Sequence, residues 1–250
     1  MIHTAYIEQS GTGQLGAEER MVADTLHRRG VAIKYFSKKH ISRRQLPLTP
    51  ETLVVGDVDS FVGALRQLGV PIPSSDPYPD CLRPFLHRSV WNSTVGEEID
   101  YMRSDGAKPR FVKPCGRAKS FTGFVLNSSN DIPRFLDTSR SERVSCSDVV
   151  GWVSEYRFYV VENAIRAISH YFGEEDERLS RAVVEDAVGT LASSGIGMTS
   201  YGIDFGTLTT GETALIELND GFSLGAYGIG PEDYTDLVTS RWLELVSRYV

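Results

Sequence analysis

The sequence predicts an α/β protein, α+β over its larger part, in which a small N-terminal lobe precedes a two-part domain. Three observations carry this. Strand and helix patterns alternate through the first seventy residues; a proline-rich stretch then interrupts all regular structure; beyond it, strands come in pairs around Gly-rich turns, with amphipathic helices among them. With 41% hydrophobic and 24% charged residues in a chain of 250, the composition is that of a globular protein with a sizeable core.

In the lobe, residues 3–8 read as a strand, 17–29 as a helix carrying Met21, Val22 and Leu26 on one face, and 31–36 as a second strand. Residues 53–56 form another, leading into a helix with Val58, Phe61, Val62, Leu65 and Leu68 at helical spacing. Between the first strand and helix, Gly11-Thr-Gly13-Gln-Leu-Gly16 matches the dinucleotide fingerprint GxGxxG. The acidic residue that would hold a ribose hydroxyl after the second strand is replaced by Ser37-Lys38-Lys39. Three readings follow: a Gly-rich turn, a substrate anion at the helix N-terminus, or a 2′-phosphate on the lysines. Four prolines within residues 71–79 make that stretch a linker, so the lobe is residues 1–76 and the following domain residues 77–250.

Past the linker, residues 84–102 form a polar segment that reads as helical, anchored by Phe85, Leu86, Val90 and Trp91. Arg110-Phe-Val-Lys113-Pro114 is a short strand, residues 115–123 a loop mixing Gly, Ser and Thr with Arg117 and Lys119, and residues 124–127 the returning strand. Backbone N–H groups and hydroxyls of such a loop can donate to phosphates while the basic residues supply charge; Lys113 equally reads as a solvated strand end. Residues 148–161 begin with an apolar stretch that could offer backbone groups to an adenine edge. They continue as a strand whose alternation sets Glu155, Arg157 and Tyr159 on one face, opposite Tyr156, Phe158 and Val160. Charges there need partners, from a site or from a cross-strand ion pair on a solvated face. Residues 164–171 return as a strand. Residues 179–192 form a helix whose stripe of Leu179, Val183, Val188 and Leu191 belongs to the core, and 232–248 a closing helix with Tyr234, Leu237, Val238, Leu245 and Val246 inward.

Residues 201–205 and 213–218 are short strands around a Thr- and Gly-rich turn, residues 206–211. Glu217 and Asn219, two apart, project to one side, and Asp204 on the partner strand can stand across from them. Two carboxylates and an amide carbonyl make an all-oxygen set suited to Mg2+, which takes few protein ligands and keeps room for water and phosphate oxygens. The same residues also read as a polar strand end before a turn. Residues 221–230, Gly-rich and aromatic, read as a substrate wall or as packing under the last helix.

No run of 18 apolar residues occurs, and the first residues lack a basic segment followed by an apolar one, so a cytoplasmic protein without membrane attachment is expected. A net charge of −7 argues against a general nucleic-acid binder while leaving a local basic groove open. Cys81, Cys115 and Cys146, odd in number and widely spaced, predict free thiols, and His3, His27, His40, His87 and His170 form no ligand pattern.

From about residue 110 to 219 the order FVKP, Gly/Ser/Thr loop, apolar hinge, Ser-Glu-Tyr-Arg, helix, Gly-Ile-Asp, Ile-Glu-Leu-Asn resembles the ATP-grasp superfamily. Within it, the chain looks like the branch of small phage and bacterial ATP-grasp proteins with FVKP, EYR and ELND motifs, distantly similar to D-alanine ligase-like enzymes. The resemblance implies an ATP-grasp fold, with two α+β subdomains, about residues 108–150 and 151–250, gripping ATP. It implies that Lys113 reaches the α and β phosphates and that the loop with Lys119 and Ser120 covers the γ-phosphate. Asp148, Val149 and Val150 would lie along adenine, and Glu155 would hold ribose or a phosphate-binding lysine. Asp204, Glu217 and Asn219 match the Mg2+ ligands. D-alanine ligase-like members carry an arginine two residues before the metal Asp, where it stabilises the reacting acyl phosphate. Here that position is Gly202, which leaves Arg157 to take over the role beside Lys119.

The activity so implied is ATP- and Mg2+-dependent ligation. The γ-phosphoryl group passes to a carboxylate of a small molecule, amino acid or peptide, and an amine then displaces phosphate. A kinase or a nucleotide- or RNA-modifying enzyme acting on a non-carboxylate acceptor, and a nucleotide-binding module without turnover, are the alternatives. Acceptor sites in the superfamily come from the N-terminal lobe and variable loops, so the resemblance does not name the acceptor.

Overall fold

The computed structural model describes residues 2–74, 76–115, 120–175, 178–222 and 224–247, which form three sheets flanked by helices. The first sheet holds β1 (Thr4–Glu8), β2 (Ala32–Phe36) and β3 (Thr52–Val55), all parallel, in the order β2-β1-β3. Parallel neighbours need a crossover, and α1 (Ala17–Arg28) supplies the one between β1 and β2. After the short α2 (Lys38–Ser42) and β3, α3 (Val58–Leu68) begins where the Asp57 carboxylate accepts the Ser60 N–H at 3.0 Å.

The second sheet is antiparallel, in the order β4-β7-β5-β6: β4 (Val90–Thr94), β5 (Arg110–Pro114), β6 (Phe124–Leu126) and β7 (Arg143–Ser147). Residues 84–102, expected as one helical segment, divide instead into the end of a 3-10 turn, the strand β4 and then α4 (Val95–Met102). Val90, Trp91 and Thr94 favour a strand, and Thr94 also starts the helix. Its Oγ1 accepts the Glu97 N–H at 3.2 Å while the Glu97 carboxylate accepts the Thr94 N–H at 2.8 Å.

The third sheet runs β11-β10-β8-β9, from β8 (Trp152–Val161), β9 (Ala164–Gly173), β10 (Ser200–Leu208) and β11 (Thr213–Asp220), with α5 (Arg181–Ser193) and α6 (Pro231–Ser247) completing the chain. β10 extends through Gly206, a residue whose local composition assigns it to the turn. The backbone and ring of β8 close in there: a Cβ at 206 would lie 2.3 Å from the Ser154 carbonyl and 2.8 Å from the Trp152 ring.

One hydrophobic core joins the first sheet to α6. Phe61 stacks on Phe222 at 4.2 Å and meets Trp242 edge-on at 5.2 Å, and the buried Trp242 indole donates to Thr52 O at 2.7 Å. A second core lies between the third sheet and α5, and a third between the second sheet and α4. The described residues of 71–79 carry no helix or strand, yet Pro77 O accepts the Leu218 N–H at 3.0 Å, so this linker runs along the edge strand β11. No helix among the described residues is long and apolar enough to cross a membrane, and Cys81, Cys115 and Cys146 are free thiols.

Candidate functional site

β10 and β11 set the centre of the site. Asp204 pairs with Glu217 and Gly202 with Asn219, and cross-strand partners share a face. The three side chains expected as oxygen ligands therefore stand together, with Asn219 Nδ2 3.3 Å from Asp204 Oδ2 and 3.1 Å from Glu217 Oε1. Each carboxylate meets a cation from another strand. Arg157, the β8 partner of Asp204, donates from Nε to Oδ1 at 2.8 Å and from Nη2 to Oδ2 at 2.7 Å, a bidentate geometry. Lys113 reaches from β5 to Glu217 Oε2 at 2.6 Å and so links the second sheet to the third.

Burial opposes the charge on Lys113, but the Glu217 carboxylate and Tyr78 together outweigh it and the ammonium is held above the usual lysine range. Burial likewise pushes the Glu217 carboxyl up, and Lys113, with Asn219 and Arg157, more than reverses this, holding it below the usual range. At Asp204 the balance differs. That side chain is almost fully buried, and desolvation lifts its carboxyl in spite of the two Arg157 hydrogen bonds. Arg157 itself is desolvated, yet Asp204 raises it above the ordinary arginine range.

Arg157 also accounts for Gly202. A Cβ at 202 would stand 3.0 Å from Leu224 Cδ1, 3.5 Å from Arg157 Cδ and 3.6 Å from Arg157 Nε. The β8 arginine thus lies over the position at which the sequence lacks one.

Lys113, Glu217 and Asn219 line a cleft of about 790 Å3 between the second and third sheets. On its second-sheet wall, Asn92, Ser145 and Lys113 stand in one row across β4, β7 and β5. Ser120, Asp148, Val149, Val150 and Glu155, also expected at a nucleotide, do not line this cleft. Ser120 Oγ instead donates to Glu142 Oε1 at 2.5 Å. Asp148, Val149 and Val150 connect β7 of the second sheet to β8 of the third; the Asp148 carboxylate accepts the Ser89 N–H at 2.9 Å, and Val149 is exposed. Glu155 shares its face with Arg157, and burial raises its carboxyl. Lys119, with Arg117, lies outside the described residues.

Sequence reasoning missed three tyrosines. The Tyr78 ring lies 4.5 Å from Lys113 Nζ, the Tyr171 hydroxyl donates to Asp204 Oδ2 at 3.4 Å, and the exposed Tyr227 ring stands 5.3 Å from the Arg157 guanidinium carbon. Tyr171 is the extra residue of a bulge, since Glu155 pairs with Phe172 and Tyr156 with His170, so strand alternation does not anticipate it. Tyr78 sits in the linker, where no periodic signal exists. In the loop at residues 221–230, Phe222, Leu224 and Ile229 pack in the core, the second of its two expected readings, while the Tyr227 ring stands beside Arg157. Glu18 and Glu19 occupy the first turn of α1, and Glu18 accepts the Ala226 N–H at 3.2 Å, so the helix N-terminus beside Gly16 already faces carboxylates.

Among the described residues no group of three His, Cys, Asp or Glu side chains could hold a metal ion. A cation here would rest on two carboxylates and the Asn219 amide oxygen, which a half-turn of the amide brings inward. That set is all oxygen and doubly negative, and it fits a hard divalent ion whose remaining positions are filled by water or phosphate.

The fold matches D-alanine–D-alanine ligase from Bacillus anthracis with a TM-score of 0.60 over 99% of both chains, at 13% identity. It matches D-alanyl-alanine synthetase A from Vibrio cholerae O1 biovar eltor with a TM-score of 0.61, covering 97% of this chain and 99% of that one, at 13% identity. Macrocyclase MdnC bound with precursor peptide MdnA, from Microcystis aeruginosa MRC, gives a TM-score of 0.57 over 95% and 99% of the two chains at 10% identity. Identities this low establish a shared fold. No curated protein matches the sequence. Residues 85–237, more than half of the chain and the whole of the charged cluster described above, match the model of an ATP-grasp domain family, the second family of its clade, and the protein belongs to that ATP-grasp family.

Proposed function

We propose that the protein is an ADP-forming, ATP-dependent ligase that joins the carboxylate of a small molecule, amino acid or peptide to an amine, with MgATP held between the second and third sheets. The observation that carries this reading is the convergence of Asp204, Glu217 and Asn219 on one face, with Lys113 and Arg157 delivered to them from two other strands. In this reading residues 1–76 form a lobe preceding the ATP-grasp domain of residues 77–250, whose subdomains are residues 108–150 and 151–250. Amino-acid and peptide acceptors are favoured because the matched folds include D-alanine–D-alanine ligase and a macrocyclase bound with its precursor peptide. Free thiols suit a reducing cytoplasm.

Asp204, Glu217 and Asn219 would hold Mg2+, which when bound lowers the charge of the phosphate oxygens. Lys113, turning from Glu217, would donate to the α and β phosphates, and Lys119 and Ser120 would cover the γ-phosphate. A nucleotide there would extend beyond the cleft to Asp148, Val149 and Val150, along adenine, and to Glu155, which would hold the ribose or a phosphate-binding lysine. A carboxylate oxygen attacks the γ-phosphorus, the bond to the β–γ bridging oxygen breaks, and ADP leaves with that electron pair. The amine nitrogen then attacks the acyl carbon, inorganic phosphate departs, and the nitrogen loses a proton. Arg157, over Gly202, steadies the charge on the acyl phosphate. Such chemistry asks the protein for alignment and charge neutralisation rather than for a nucleophile.

Hydroxylamine, supplied with ATP, Mg2+ and a pool of amino acids and peptides, tests this by trapping an activated carboxylate. The expected products are hydroxamate, ADP and phosphate in equal amounts, dependent on the carboxylate and lost in Glu217→Ala. ADP with a stable phosphorylated product would make the protein a kinase. Undiminished turnover in Glu217→Ala would remove the metal assignment.

A further inference from the structure

Glu217 and Asn219 face Asp204 only because β11 carries one extra residue. From the turn inward, β10 and β11 pair Thr207 with Thr213, Gly206 with Ala214 and Phe205 with Leu215. Continued, that register would set Asp204 against Ile216 and Ile203 against Glu217. A one-residue change of phase moves every later side chain to the other face. Glu217 and Asn219 would then enter the core beside Tyr201, Ile203 and Phe205, all fully buried. The observed pairs are instead Asp204 with Glu217, Ile203 with Leu218 and Gly202 with Asn219, so Ile216 is the extra residue of a bulge.

β11 is the edge of its sheet, so carbonyls at the bulge have no strand on the outer side. One side chain supplies that side. Arg88 donates from Nη1 to Leu215 O at 2.7 Å and from Nη2 to Ile216 O at 3.0 Å, and Nη1 also reaches Leu86 O at 3.1 Å. The guanidinium carbon lies 5.4 Å from the Trp152 ring and 5.9 Å from the Tyr78 ring, the same Tyr78 that lies against Lys113. A planar fork with fixed donors suits two successive carbonyls, and a lysine does not reproduce it. We propose that Arg88 is a positioning residue, which fixes the bulge at Ile216 and thereby keeps Glu217 and Asn219 in phase with Asp204. The statement about register stands on the strand pairing alone; its consequence for metal binding rests on the function proposed above.

Two readouts separate these. In isotopically labelled protein, cross-strand nuclear Overhauser contacts report whether Asp204 or Ile203 lies opposite Glu217, and Mn2+ titration in the presence of ATP, followed by electron paramagnetic resonance, reports the ligand set. Arg88→Met should lose the Asp204–Glu217 contacts and weaken Mn2+ binding by roughly 10–100-fold, the range for residues that orient metal ligands. Arg88→Lys should change both in the same direction and not restore the parent values, and it carries the test alone if Arg88→Met does not fold. Arg181→Met, which removes an exposed arginine paired with Glu185, should change neither. A folded Arg88 variant with the parent contacts overturns the proposal. A parent protein that binds no Mn2+ with ATP overturns the metal reading, while the contacts still decide the role of Arg88.

Discussion

Lys113 and Glu217 hold each other across two sheets, and their charges are coupled to pH. Glu217 titrates below its ordinary 4.5, so its stabilising contribution is present above that value and lost as pH falls through the lower folded one. Lys113 titrates above its ordinary 10.5, so its contribution is present below that value and lost as pH rises through the higher folded one. Glu217→Gln should therefore flatten both limbs of a stability–pH curve and cost about 1–3 kcal/mol at pH 7, because it leaves a mostly buried ammonium without its carboxylate. Urea denaturation across pH measures this; equal stability at pH 7 would mean that the attraction only offsets desolvation. Gly202→Val should cost about 1–3 kcal/mol in thermal denaturation, since its side chain would overlap Leu224 and displace Arg157. At this scale the spacing of Asp204, Glu217 and Asn219 was enough to anticipate that the three side chains stand together. Arg157 and Gly202 became one feature only because β8 pairs with β10, which sets these residues, 45 apart and linked by no local period, diagonally side by side.

Elements carry a different kind of demand, seen where α4 meets the second sheet. Glu98 on α4 is almost fully buried, and Arg110 at the start of β5 donates to both of its oxygens, at 3.1 and 3.0 Å, from between the Trp91 and Tyr101 rings. Arg110→Met would leave a buried carboxylate unpaired and should destabilise by about 3–5 kcal/mol, whereas Glu98→Gln, which keeps a hydrogen-bonding side chain, should cost less. Denaturation midpoints in urea rank the two; the reverse order would mean that the arginine acts through packing on the rings rather than through charge. Most elements were readable from their apolar periods, including α3, α5, α6 and the pairs β8–β9 and β10–β11. The strand β4 was not, because Val90–Thr94 holds only five residues between a 3-10 turn and a helix, too short for a period of two to outweigh its polar context. The bulges at Tyr171 and Ile216 were hidden as well, since a bulge is a departure from the alternation by which strands are recognised.

Across the whole molecule, residues 1–76 stood apart in the sequence as a lobe, whereas the core that the first sheet shares with α6 was not anticipated there. Phe61, Phe222 and Trp242 are each ordinary core residues in their own elements, and only the fold brings them together over a separation of more than 160 residues. The second and third sheets, by contrast, are tied across the cleft by the single described salt bridge between Lys113 and Glu217. In the proposed reading a nucleotide there would exchange that contact for its own contacts to both walls, so it should report on the whole fold. A ligand bound only by the folded state stabilises it by RT ln(1 + [L]/Kd), about 2.7 kcal/mol at a concentration one hundred times Kd. For a chain of this length each kcal/mol shifts the unfolding midpoint by about 2–4 °C, so MgATP should raise it by roughly 5–10 °C. Lys113→Met removes the proposed phosphate donor and should lose most of that shift, although the variant without ligand should still unfold cooperatively. Differential scanning calorimetry with and without MgATP measures both. An unmoved midpoint in the parent protein would set nucleotide binding aside, and a full shift in Lys113→Met would assign the phosphates to another cation.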